Sequence, residues 1–102
     1  MASTHILDEA QIRHRLRTLD GWELDHDAAA GRTCIRRRFG FKGFSAAVEM
    51  ANLAAWLGNR IDHHPDISFG WGYCTVTFTT HDAGGVTEAD LAAAARLNAV
   101  LA

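Results

Sequence analysis

Only one of the 102 residues is proline, Pro65, and only two are cysteine, Cys34 and Cys74. So little proline, with an apolar fraction of 48%, excludes a Pro-rich disordered chain and is typical of a globular one. The cysteines have no CxxC spacing and lie in strand-like stretches, which excludes a disulfide framework. They read instead as small buried hydrophobes, reduced thiols of a cytosolic protein. No apolar run reaches the roughly 18 residues of a membrane span, and the leading "MASTHILDEAQ" is too polar for a signal peptide. The expectation is a soluble, cytoplasmic protein without membrane association. Neither sign of charge dominates: ten basic against twelve acidic residues give −2, which excludes a general attraction to nucleic acid. The one basic run, Arg36-Arg37-Arg38, reads as solvated strand side chains. There is no nucleophile elbow, no phosphate loop and no GxGxxG before a helix. Gly70, Gly72, Gly84 and Gly85 are read as turn residues.

What is present has the length of one domain spanning residues 1–102, burying about 65% of its unfolded surface. In "LDEAQIRHRLRTLDGW", Ile12, Leu16 and Leu19 recur at helical spacing. Asp8 and Gln11 offer a capping box, and Gly21 a stop. A strand is expected over Trp22 to Asp25, a turn over "HDAAAG", and a second strand over Thr33 to Phe41. A second helix is expected over Phe44 to Asn59. Its apolar residues fall on two faces, Phe44, Val48, Ala51 and Ala55 on one and Met50, Leu53 and Leu57 on the other. A helix apolar on two sides needs two covers, the sheet and a second subunit. Beyond Pro65, "DISF" and the stretch from Tyr73 alternate with period two and form a second hairpin around "GWG". One face of the latter carries Cys74, Val76 and Phe78, the other Tyr73, Thr75, Thr77 and Thr79. Thr87 and Asp90 cap a last helix with Leu91, Ala94, Ala95 and Leu101 inward. The predicted class is α+β in the order α-β-β-α-β-β-α, a four-stranded antiparallel sheet with its helices on one face.

Three of the six histidines, His63, His64 and His81, fall within nineteen residues. His63 and His64 sit between a helix and a strand, with Pro65 holding His64 extended. His81 ends the threonine-faced strand, so all three can meet at one edge of the sheet. Imidazole donates and accepts protons near neutrality, so a pocket of histidines can serve one substrate atom as base and another as acid. Metal binding is the competing use, but adjacent histidines point apart, and neither HExxH nor an HxH strand pair occurs. Asp62, Asp66 and Asp82 could add oxygens, though no spacing requires it. His5, His14 and His26 read as surface or satisfied residues.

These residues carry a resemblance. "IDHHPD", Trp71, "TTHDAGG" and "TEAD", with "GW" at 21–22 and "FGFKGF" at 39–44, resemble the pterin-4a-carbinolamine dehydratase family over nearly the whole chain. That family's ordered signature reads here Asn59, His63-His64-Pro65, Trp71, His81 and Asp90. The resemblance implies the same α-β-β-α-β-β-α fold, a homodimer or homotetramer, and no metal or organic cofactor. It implies the dehydration of 4a-hydroxytetrahydropterin to quinonoid dihydropterin, which recycles the pterin cofactor of aromatic amino acid hydroxylases. It assigns the site to His63, His64 and His81, with His63 and His81 expected to move protons and His64 to orient the pterin. Asn59, Asp62, Pro65, Trp71, Thr79, Thr80 and Asp90 are the expected substrate-binding set. Asp90 is read either as orienting a histidine or as a helix cap. Asn59 departs from the family, which usually has an ionisable residue there; an amide can hydrogen-bond but cannot take a proton. The alternative is a catalytically weak scaffold of the same fold that acts as a dimerisation or assembly partner.

Overall fold

The computed structural model describes residues 5–27 and 31–102. Its elements are α1 (Glu9–Leu16), β1 (Glu23–Asp27), β2 (Arg32–Gly40), α2 (Phe44–Ile61), β3 (Asp66–Gly70), β4 (Tyr73–Phe78) and α3 (Glu88–Leu101), the expected order. The turn expected over His26–Gly31 lies partly outside the described residues. All neighbouring strands run antiparallel in the order β1-β2-β4-β3. Register follows the side-chain alternation: Ile35 faces Phe78, Phe39 faces Cys74, and Val76 faces Ile67. One sheet face is thereby apolar and buried under the helices against Ile12, Met50, Ala54, Leu57, Leu91 and Leu97. The other carries Arg36, Arg38, Thr75 and Thr77.

Both sequence-read capping boxes are present, Asp8 with Gln11 on α1 and Thr87 with Asp90 on α3. Helix α1 is shorter than its apolar spacing suggested. After Leu16 the chain continues through tight i→i+3 bonds, and the Thr18 hydroxyl donates to the Arg15 carbonyl at 3.1 Å, competing with helical bonding. Gly21 serves the later turn into β1, at φ +87. On α3 the buried residues are Asp90, Leu91, Ala93, Ala94 and Leu97, so Leu91 and Ala94 face inward as expected, while Ala95 and Leu101 are exposed. Ala95 lies about 140° round the helix from Asp90 and so faces out, whereas Leu101 shares the Asp90 side and is exposed as the last residue of the helix. The arginine run divides by strand parity. Arg36 and Arg38 are exposed, but Arg37 lies on the helix side over the Phe39 ring, 4.5 Å from its centroid. Arg37 and the Trp22 indole both donate to Asn98 Oδ1, at 2.7 and 2.9 Å.

Helix α2 buries Ala47, Met50, Ala51, Ala54, Leu57 and Gly58. Phe44 and Trp56 remain 52% and 53% exposed. Both thiols are free and buried. Burial pushes each up from the ordinary cysteine value, with the Asp25 and Asp27 carboxylates adding to the effect at Cys34. Neither is therefore suited to be a thiolate nucleophile at neutral pH.

Candidate active site

Three chain ends meet at one end of the sheet: the C-terminus of α2, the C-terminus of β4 and the N-terminus of α3. Helix α2 stops where Asp62 turns left-handed (φ 53, ψ 41), with its N–H and that of His63 both returning to the Gly58 carbonyl. Pro65 then starts the chain toward β3. This tight exit requires Gly58. A Cβ there would lie 2.5 Å from Pro65 Cδ and 3.2 Å from the His63 carbonyl oxygen. On the opposite wall, Thr80 pairs with Gly85 across the loop that carries His81.

The result is an open cleft of about 460 Å³. Asp62, His63, His64, Pro65 and Asp66 line one side, and Thr79, Thr80, His81 and Asp82 the other. His64 and His81 are exposed at its walls; His63 is half-buried, its ring stacked on Phe78 at 5.9 Å and 14°.

Asp90 is fully buried, and five hydrogen bonds organise it and its neighbours. The Thr87 N–H and the Thr80 hydroxyl both donate to Asp90 Oδ2 at 2.8 Å, and His63 Nε2 lies 2.5 Å from Oδ1. Because Thr80 spends its hydrogen on the carboxylate, the 2.9 Å bond between the two threonine hydroxyls is donated by Thr87. Thr87 Oγ1 accepts in turn from the Ala89 N–H. Asp90 therefore caps the helix with one oxygen and holds a histidine with the other, uniting the two alternatives read from sequence. A carboxylate only accepts, so Nε2 carries the His63 hydrogen and Nδ1 presents a lone pair. Among the described residues Nδ1 has no hydrogen-bond partner. The Thr79 hydroxyl is also engaged, donating to the Thr33 carbonyl at 2.8 Å. What Thr79 offers a ligand is a hydroxyl lone pair and main chain, whereas the Thr80 N–H donates to the Gly85 carbonyl and the Thr80 carbonyl accepts from the loop amides of Ala83, Gly84 and Gly85.

Of the ten residues singled out from sequence, the cleft itself gathers His63, His64, His81, Asp62, Pro65, Thr79 and Thr80, with Asp90 directly behind His63. Asn59 is exposed on the last turn of α2, outside the cleft lining. Trp71 lies in the β3–β4 turn and is 73% exposed. Strand β3 separates it from the cleft by about 16 Å at strand rise. Gly58, Phe78 and Thr87 escaped notice as site residues. A glycine inside a helical pattern is itself a signal of close packing, whereas nothing local marks Phe78 or Thr87. Among the described residues no group of three or more His, Cys, Asp or Glu is placed to hold a metal ion.

Comparison with known proteins finds a family and a shared fold. A profile of the family described as pterin 4 alpha carbinolamine dehydratase matches residues 5–100. A Paracoccus denitrificans protein, provisionally named pterin-4-alpha-carbinolamine dehydratase, is 45% identical over 91% of this chain and 83% of its own. A crystal structure from Brucella melitensis, described as a transcriptional coactivator/pterin dehydratase, superposes with TM-score 0.79 at 38% identity, covering 96% of this chain and all of that one. A pterin dehydratase-like protein described as a RuBisCO assembly factor of the alpha-carboxysome has TM-score 0.60 at 25% identity, over 78% of this chain and 88% of its own.

Proposed function

The chain belongs to the pterin-4a-carbinolamine dehydratase family, and from that premise we propose that its cleft dehydrates 4a-hydroxytetrahydropterin by histidine acid–base catalysis. The reaction removes the N5 proton and breaks the C4a–O bond. The N5–H electron pair becomes the second bond between N5 and C4a, and the departing oxygen takes a proton and leaves as water. Hydroxide leaves poorly, so a general acid must meet the oxygen as a base meets N5.

The observation that carries the reading is the His63–Asp90 pair. With Nε2–H committed to the carboxylate, neutral His63 can act only as a proton acceptor, at Nδ1. Asp90 then stabilises the imidazolium that forms. We assign His63 as the base at N5, exposed His81 as the acid at the 4a-oxygen, and His64 as the residue that orients the pterin. The hydroxyl lone pair and main chain of Thr79 suit the amide-like edge of the ring, with Thr80 beside it fixing the wall. The product is quinonoid dihydropterin, so the enzyme serves recycling of a pterin oxidised by an aromatic hydroxylase.

Stopped-flow absorbance on synthetic 4a-hydroxytetrahydropterin tests this against the unaided decay. The wild type is expected to outpace a protein-free blank, with His63→Ala and His81→Ala each losing about 10²–10⁴-fold of the catalysed rate. Traces that all overlay the blank would refute catalysis and leave the scaffold reading.

The exposed aromatics of α2 favour a second property, self-association into a dimer or tetramer. Trp56 lies on the helix face opposite the buried residues and Phe44 on its flank, the Phe44 ring 6.1 Å from Phe69 of β3, and burying each against a second copy contributes roughly 1.5–3 kcal/mol. In sedimentation velocity, Trp56→Arg is expected to shift the wild-type oligomer to a smaller species. A wild type that already sediments as a monomer removes this reading and leaves the face to another protein, as in an assembly factor.

A further inference from the structure

His63 borders two spaces. Beside it a second hollow of about 280 Å³, lined by neither His64 nor His81, lies between the end of α2 and the outer face of α3. Asp62 and His63 line both spaces. Ala89, Ala92 and Ala93 floor the hollow, Ile61 walls it, and Arg96 closes its far end. Its volume falls just short of the roughly 300–1,000 Å³ of an independent small-molecule site, which makes it an annex of the cleft.

We propose that this annex receives the C6 substituent of the pterin and that Arg96 selects substituents ending in a carboxylate. The inference rests on the pterin reading of the cleft, and ring connectivity supplies the link. C6 is bonded to N5, so a pterin whose N5 faces His63 must send its C6 substituent out past His63, where the annex opens. From Ala89 to Arg96 the floor runs about 10 Å along α3 at helical rise, the length of an aminobenzoate arm. The alanine side chains leave room for a flat ring. Arg96 is exposed and, among the described residues, makes no ion pair or hydrogen bond. Its planar fork matches a carboxylate in two bonds. Asp62 is the one acidic residue lining the annex and stands at the entrance beside His63, so repulsion directs a negative terminus to the Arg96 end.

Calorimetric titration of the intact protein tests this with three stable probes: 6-hydroxymethyl-7,8-dihydropterin, 7,8-dihydropteroate, and the carboxamide of dihydropteroate. Acid and amide share length and shape and differ in charge. The wild type is expected to bind the acid roughly two- to tenfold more tightly than the amide, a gap that shrinks with added salt. Arg96→Gln should close the gap and Arg96→Lys should restore part of it, with hydroxymethyl-dihydropterin affinity unchanged in both. Equal affinities in the wild type, or a gap that survives Arg96→Gln, overturns the proposal. If hydroxymethyl-dihydropterin binds and the acid gains nothing over the amide, the annex alone is refuted. If none of the three binds, the pterin reading falls with it.

Discussion

Asp90→Asn is expected to leave the protein folded and to lower turnover by about 10²–10⁴-fold, as loss of the base would. The carboxylate accepts from three donors: the Thr87 N–H and the Thr80 hydroxyl at Oδ2, and His63 Nε2 at Oδ1. An asparagine has one oxygen, and placing its NH₂ against Thr87 N–H and Thr80 O–H would oppose donor to donor. The amide oxygen must therefore take the Oδ2 position and turn its NH₂ toward His63. Nε2 then has to accept, which moves the ring hydrogen to Nδ1, the atom assigned to receive the N5 proton. His63 stays in place with its protonation pattern reversed. Two measurements separate this from general damage. Nitrogen NMR of the imidazoles should report the Nε2–H form in the wild type and the Nδ1–H form in the variant. The melting temperature should fall by only a few degrees, since the helix cap is preserved. An Asp90→Asn protein with wild-type turnover would remove the orienting role. Asp90→Ala should unfold more readily, because Thr80, Thr87 and His63 would lose their shared acceptor, at about 1–3 kcal/mol for each buried donor left unpaired.

Much of this arrangement was legible in the chain, and what was not has a physical reason. Period two from Tyr73 to Phe78 correctly assigned Cys74, Val76 and Phe78 to the core, because strand parity is a local property. The two capping boxes were legible for the same reason, each being a three-residue pattern that acts over three residues. Asp90 shows where local reading stops. Its spacing from Thr87 says cap, and nothing in the sequence says that its second oxygen meets a histidine 27 positions earlier. That contact exists only because α2 and α3 pack side by side. Trp71 shows the converse. The family signature sets it in order beside the histidines, yet an extended strand carries a residue away from its sequence neighbours faster than any other element. Helix α1 ends before its apolar spacing does, because the Thr18 hydroxyl takes over the Arg15 carbonyl.

Gly58→Ala, a change of one methyl group outside the cleft lining, is expected to damage the site as severely as the loss of a histidine. Alanine normally improves a helix interior by about 1 kcal/mol over glycine, and the helical φ here gives glycine no special licence. The sign reverses because of what lies against the helix. The new Cβ would sit 2.5 Å from Pro65 Cδ, 3.2 Å from the His63 carbonyl oxygen and 3.4 Å from His64 Cα. Proline is rigid and the other two atoms are main chain, so no side chain can swing aside. The His63-His64-Pro65 segment must move as a unit. Overpacking of this kind costs about 1–3 kcal/mol, enough to lower the melting temperature by roughly 4–8 °C per kcal/mol in a domain of this size. The larger effect is on chemistry. The segment is tied to Gly58 by the His63 N–H bond to its carbonyl at 3.0 Å and to α3 by the bond from His63 to Asp90. A shift that relieves the first contact strains the second, and a misplacement of about 1 Å can cost about 10²-fold in rate. Thermal melts and stopped-flow assays on Gly58→Ala and Gly58→Ser should show both losses, larger for serine. A Gly58→Ala enzyme that melts higher than wild type and turns over normally would mean that the segment yields, and that His63 does not depend on the close approach of Pro65 to α2.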